Sequence, residues 1–150
     1  MGNIFNEDFR DFLASLNKHE VKYLLVGGYS VILHGYSRTT GDMDLWVDRS
    51  EENYWKIKSA FEDFGMPVFD MTRDNFMHHP VWDVFTFGTP PVAIDLMIKL
   101  EGFNFQEIYE RAVTFNEDDL EIKVIHKNDL IEAKKKAGRS KDLNDLENLT

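Results

Sequence analysis

Asp42 and Asp44 stand two residues apart in Asp42-Met43-Asp44-Leu45-Trp46-Val47, where strict polar-to-apolar alternation predicts a strand. That period puts Asp42, Asp44 and Trp46 on one face and Met43, Leu45 and Val47 on the other. The two acids are then about 6.6 Å apart along the backbone, close enough for their oxygens to converge on one hard cation. On the core side of a sheet such a pair is costly, because each carboxylate raises the pKa of the other unless a cation neutralises both. Oxygen donors with no Cys or His beside them suit Mg²⁺, which completes its octahedron with water and substrate phosphates. The same Asp-x-Asp also fits the wet face of an edge strand, so the surrounding residues have to decide. A calcium loop fails on spacing: counting Asp42 as position 1, Val47 falls where Gly is needed and Asn53 where Glu is needed.

Gly27-Gly28 closes an apolar run and opens a short helical segment, which lets the backbone approach a ligand and leaves N–H groups free for an anion. Arg38, four residues before Asp42, can clamp a phosphate or pair with an acid. Asp95 interrupts the apolar run Val92-Ala93-Ile94-Asp95-Leu96-Met97-Ile98, and an acid there needs a partner or a metal. Lys134 follows Leu130 by four and Ile131 by three, so it leans toward an apolar helix face, either snorkelling or meeting a phosphate in a cleft. His34, before Gly35, reads as a core or capping histidine, and the adjacent pair His78-His79 reads as a surface loop rather than a zinc site. Neither a Gly-Lys-Ser/Thr phosphate loop nor a Gly-x-Ser-x-Gly nucleophile elbow occurs.

The elements that must position these residues follow from pattern. A helix over 6–17 starts with Asn6 as cap and buries Phe9, Phe12, Leu13 and Leu16. A strand over 21–26 runs through the glycines into a short helix over 29–33. After the Asp-x-Asp strand, Ser50 caps a helix with the stripe Tyr54, Ile57, Phe61 and Phe64, stopped by Gly65 and Pro67. Strands 83–87 and 92–98 flank Gly88-Thr89-Pro90-Pro91 as a hairpin with a loop of about four residues. A helix over 104–112, a strand over 120–125 and two helices near 128–137 and 141–149, separated by Gly138-Arg139-Ser140, complete the chain. Residues 70–80 give no clear pattern, and no repeat or linker divides the sequence, which reads as a single domain over 1–150.

Composition sets the outer limits. With 150 residues, 43% hydrophobic and 13% aromatic, the chain can bury a real core. It has no cysteine, which excludes disulfides, a thiolate nucleophile and Cys-ligated zinc or iron. No signal peptide or membrane span is visible, which fits a cytoplasmic protein without a membrane partner. The net charge of −10 argues against an extended DNA or RNA surface. Six basic and two acidic residues between Lys127 and Lys141 nevertheless give that stretch +4, leaving −14 for the remainder.

Taken together, Gly27-Gly28, Arg38-x-Thr40-x-Asp42-x-Asp44 and an isolated strand Asp95 resemble the nucleotidyltransferase superfamily with the polymerase-beta-like fold. Ala133-Lys134, Arg139, Lys141-Asp142 and Asp145-Leu146 resemble the tail pattern of the small bacterial branch related to AbiEii-type toxins. The resemblance covers roughly residues 21–149. It implies an α+β fold, a mixed sheet flanked by helices, and Mg²⁺-dependent transfer of a nucleoside monophosphate from a nucleoside triphosphate to a hydroxyl, releasing pyrophosphate. By the same resemblance Asp42, Asp44 and Asp95 are the catalytic, metal-binding set holding two Mg²⁺ ions, and Asp95 helps deprotonate the acceptor. Gly27, Gly28, Ser30, Arg38, Thr40, Lys134, Arg139, Lys141 and Asp142 are the nucleotide-binding set. Tyr29 departs from the pattern, since many members carry serine there. The acceptor (protein, small molecule or RNA) is left open. So is a toxin–antitoxin role with a cognate toxin or antitoxin protein as partner, either as a tRNA-modifying toxin or as a non-catalytic antitoxin-like module.

Overall fold

The computed structural model describes residues 5–89 and 91–150. The chain runs α1 (Glu7–Lys18), β1 (Tyr23–Val26), α2 (Gly27–Leu33), β2 (Met43–Val47), α3 (Glu51–Phe64), α4 (Arg73–His78), β3 (Val84–Thr89), β4 (Val92–Met97), α5 (Phe105–Glu110), β5 (Val113–Glu117), β6 (Leu120–Val124), α6 (Lys127–Ala137) and α7 (Ser140–Leu149). Six strands form one sheet in the order β3-β4-β2-β1-β6-β5. The sheet is mixed: β2 pairs β4 and β1 pairs β6 in parallel, whereas β1 with β2, β3 with β4, and β5 with β6 are antiparallel.

Helix ends follow the sequence signals. The Asn6 side chain accepts from the Phe9 N–H at 2.9 Å, and Ser50 accepts from the Asn53 N–H at 3.2 Å. Gly65 and Gly138 stop α3 and α6 in the left-handed conformation. Phe9, Phe12, Leu13 and Leu16 of α1 and Tyr54, Ile57 and Phe61 of α3 bury against one sheet face, where they meet Leu25, Met43, Leu45, Phe87 and Ile94. The other face carries a smaller core of Leu24, Val26 and Trp46 under α5, α6 and α7, through Phe105, Ile108, Leu130 and Leu149. Among the described residues no helix is long and apolar enough to cross a membrane.

Four expectations change. β2 begins at Met43, so Asp42 lies just ahead of the strand and is exposed, and only Asp44 takes the alternating position. α2 begins at Gly27 rather than Tyr29, which makes both glycines its first turn. Thr89 pairs with Val92, so the hairpin connection spans only 90–91, and residue 90 lies outside the described residues. β5, absent from the sequence reading, pairs with β6 across a turn in which Asp118 has φ +55. Its five residues are too few to show a period, with Val113, Phe115 and Glu117 only half-buried.

Candidate active site

Register across the sheet assembles the acids. Val26 stands opposite Asp44, Asp44 opposite Asp95, and Asp95 opposite Thr86. Asp44 and Asp95 share the sheet face of the smaller core but sit at its open end, both half-buried. The Thr86 hydroxyl donates to Asp95 Oδ1 at 2.7 Å, fixing that carboxylate. Burial and the neighbouring Asp95 carboxylate push the Asp44 carboxyl up to about 6, against a partial counter-effect from Lys141. Asp42, Asp44 and Asp95 all line one cavity of about 560 Å³, within the usual range for a small-ligand site. Among the described residues no three His, Cys, Asp or Glu side chains are grouped so that together they could hold a metal ion. The crowded pair Asp44 and Asp95 could hold Mg²⁺, which binds through one or two carboxylates and takes its other ligands from water and phosphate.

Gly27 is required by contact and by backbone, Gly28 by contact. Gly27 has φ +69, and a Cβ there would overlap the Asp44 carboxylate. A Cβ on Gly28 would overlap the Thr40 hydroxyl and press on the Arg38 guanidinium. Gly41 also lines the cavity but has open space around it. Gly27→Ala is therefore expected to lower the melting temperature, through a left-handed alanine costing about 1–2 kcal/mol and a displaced Asp44. Gly41→Ala should melt within a degree or two of wild type, a contrast that thermal denaturation checks.

The cavity is also cationic. Arg38, Lys134, Arg139 and Lys141 line it together with the three acids. Two of these cations are held by one carboxylate: Asp145 accepts from Arg38 Nη1 at 2.6 Å and pairs with Lys134 Nζ at 2.9 Å. Lys134 also lies 3.5 Å from Asp142, which binds Arg139 Nε at 2.6 Å. Burial pushes the Asp142 carboxyl up, but Arg139 and Lys134 outweigh it and hold it below the usual range. Asp142 and Asp145 are 1% exposed and Lys134 7%, so this is a buried charge network rather than a solvated one. It also pins the start of α7, because Asp142 accepts the Arg139 backbone N–H at 3.1 Å.

The structure brings together most of the residues singled out by sequence. Gly27, Gly28, Arg38, Thr40, Asp42, Asp44, Asp95, Lys134, Arg139 and Lys141 share the cavity. Two do not face it. Ser30 is fully buried and its hydroxyl donates to the Gly27 carbonyl at 2.6 Å, so it braces the glycine turn. Asp142 stands behind the wall, holding Lys134 and Arg139 in place. Asp145, earlier seen only as part of the tail pattern, is the carboxylate between Arg38 and Lys134. Thr86 carried no sequence signal beyond its place on the same strand face as Val84. The His34 ring hydrogen-bonds the Ile125 carbonyl at 2.8 Å and its residue caps α2, while His79 stacks on Trp82 with centroids 4.0 Å apart.

A family model described as "Nucleotidyl transferase of unknown function (DUF2204)" matches residues 5–150. No curated protein matches the chain in sequence. Among solved structures, a Thermotoga maritima protein (TM1012) described as a nucleotidyltransferase superposes with a TM-score of 0.57 at 17% identity, over 93% of this chain and 88% of that one. The lincomycin-bound lincosamide antibiotic adenylyltransferase LnuA superposes with a TM-score of 0.59 at 20% identity, over 99% and 98% of the two chains. Both carry the α+β fold expected from the sequence, a polymerase-beta-like nucleotidyltransferase fold with a mixed sheet flanked by helices.

Proposed function

Because the chain belongs to this family of nucleotidyl transferases, matched over residues 5–150, we propose that it moves a nucleoside monophosphate from a nucleoside triphosphate to a hydroxyl and releases pyrophosphate. One observation carries the reading: the paired acids Asp44 and Asp95 and the four cations Arg38, Lys134, Arg139 and Lys141 line a single cavity of about 560 Å³. Asp42, Asp44 and Asp95 would hold Mg²⁺, which when bound stabilises charge on the attacking and leaving oxygens.

The remaining work falls to the chain itself. Gly27 and Gly28 let the phosphates approach the backbone at the first turn of α2, where Val26 provides no side-chain cap. Arg38 and Lys134, placed side by side by Asp145, meet the phosphates together with Arg139 and Lys141. Asp95, held by Thr86, takes the acceptor proton as its oxygen attacks the α-phosphorus in line. The attacking O–P bond forms as the bond to pyrophosphate breaks. Positioning and fixed charge supply the catalysis, so no protein nucleophile is needed.

Incubation with α-labelled nucleoside triphosphates, Mg²⁺ and cell lysate tests this. Label on any acceptor together with pyrophosphate release is the expected result. Label on RNA would favour the toxin reading suggested by the tail pattern, label on protein an antitoxin-type modifier, and label on a small molecule a modifying enzyme. No pyrophosphate with any base or divalent metal would overturn the proposal.

A further inference from the structure

β3 is an outermost strand, and the Ile98 N–H donates to the Asp83 carbonyl. Hydrogen-bonded and non-bonded pairs alternate in an antiparallel ladder, so Phe85 and Phe87 bond into the sheet while Val84 and Thr86 turn their backbone N–H and C=O outward. Among the described residues no other segment hydrogen-bonds that edge. Exposed edges are normally blunted by Lys, Pro, a bulge or a covering element. The strand Val84-Phe85-Thr86-Phe87-Gly88-Thr89 has no charge and no proline. By contrast, β5 at the opposite edge ends on Glu117, which is tied to Arg10 at 3.0 Å.

The flanks of β3 gather exposed apolar side chains. Six large hydrophobics are exposed among the described residues, and Phe69, Val81, Trp82 and Val84 are four of them. Trp82 is pre-set, because it stacks on His79, whose Nδ1 accepts from the Val81 and Trp82 N–H groups at 3.1 and 2.9 Å. Between β3 and segment 68–70 runs a groove of about 220 Å³, lined by Phe69, Asp70, Trp82, Val84 and Thr86 among others, with no cation in its wall.

We propose that the outer edge of β3 and this groove dock an extended peptide segment of another protein, apolar at alternate positions and carrying Lys or Arg, as an added strand. The groove is below the ~300 Å³ at which pockets begin to enclose small molecules, whereas an open strand edge supplies main-chain partners and side-chain slots for a peptide. Asp70 in the groove, exposed Asp83 beside it and a chain charge of −10 select a basic strand. The same acids disfavour a second copy of this chain, which would bring an equally acidic edge. Thr86 lines the groove and holds Asp95, so the docked strand lies beside the acid pair. The proposal does not depend on nucleotidyl transfer.

Selection of a displayed random decapeptide library on the immobilised protein, followed by fluorescence anisotropy of synthesised hits, tests it. The hits should be basic and alternately apolar. Their affinity should fall about tenfold or more in Val84→Pro, which removes one outward N–H and leaves the ladder intact, and in Trp82→Ala. Asp70→Lys should weaken binding of the same basic peptides. Melting curves verify that the variants fold, and Trp82→Ala decides if Val84→Pro does not. Three results would overturn the proposal: no peptide enriched above the bare support, hits binding Val84→Pro and Trp82→Ala as tightly as wild type, or a concentration-dependent dimer in sedimentation that Val84→Pro dissociates.

Discussion

Asp44→Asn is expected to melt at a higher temperature than the wild-type protein at pH 7.5 and to transfer nucleotide at least about a thousandfold more slowly. The two effects share one cause. Asp44 is half-buried against Asp95, and its carboxyl is pushed up to about 6. A carboxyl raised on folding contributes stability that is fully present below its unfolded pKa near 3.8 and lost as pH rises through about 6. At pH 7.5 the metal-free protein therefore carries a destabilising charge that the asparagine removes, with its amide able to donate to Asp95. At pH 4 the advantage should vanish, since the wild-type carboxyl is then mostly protonated. Melting curves across pH 4–8, with and without Mg²⁺, check this. Added Mg²⁺ should stabilise the wild type more at pH 7.5 than at pH 5, and should stabilise Asp44→Asn little at either. A variant less stable than wild type at pH 7.5 would contradict the argument.

Asp145→Asn should destabilise the fold by about 3 kcal/mol, one of the largest losses available from an isosteric change. It leaves Arg38 and Lys134 side by side, with only Lys134 keeping a carboxylate, Asp142 at 3.5 Å. Denaturant titration measures the loss. Inorganic tripolyphosphate gives a second readout that a merely structural defect would not move. It should raise the melting temperature of the variant more than that of wild type, because the Asp145 carboxylate no longer offsets the charge of Arg38 and Lys134. The KM for nucleoside triphosphate should change along with stability, whereas a distant packing variant of equal stability should leave it unchanged.

The parts of this site legible in the sequence were those whose residue type conflicts with its local pattern. Asp95 in an apolar strand and Lys134 on an apolar helix face both announce themselves, because burying an unpaired charge is too costly to be incidental. The partner of Lys134 was harder to find. Asp145 also meets Arg38, and that pair joins residues 107 positions apart, a proximity only the packed helices create. Ser30 has a local partner that its position does not reveal: a serine hydroxyl near a helix start can bond a neighbouring carbonyl, and here it donates to Gly27. Asp42 was placed on a strand because alternation does not reveal where pairing stops. α4 was missed because a six-residue helix is too short to show a period, although Thr72 caps it by accepting the Asn75 N–H at 3.1 Å.

The placement of the site's charges along the chain has a consequence for synthesis. The sheet acids are all present once Asp95 has been made, but Lys134, Lys141 and Asp145 belong to the last two helices and Arg139 to the link between them. Until α6 and α7 dock, the sheet acids have only Arg38 of the four lining cations beside them. On the proposed function, triphosphate binding would wait for that helical pair, whose arrival also brings the buried network that secures it. A ribosome paused before residue 134 would display a folding sheet that is chemically silent. The same split suits complementation: a fragment ending after β6 carries the sheet acids, and a separate α6–α7 hairpin carries Lys134, Arg139 and Lys141.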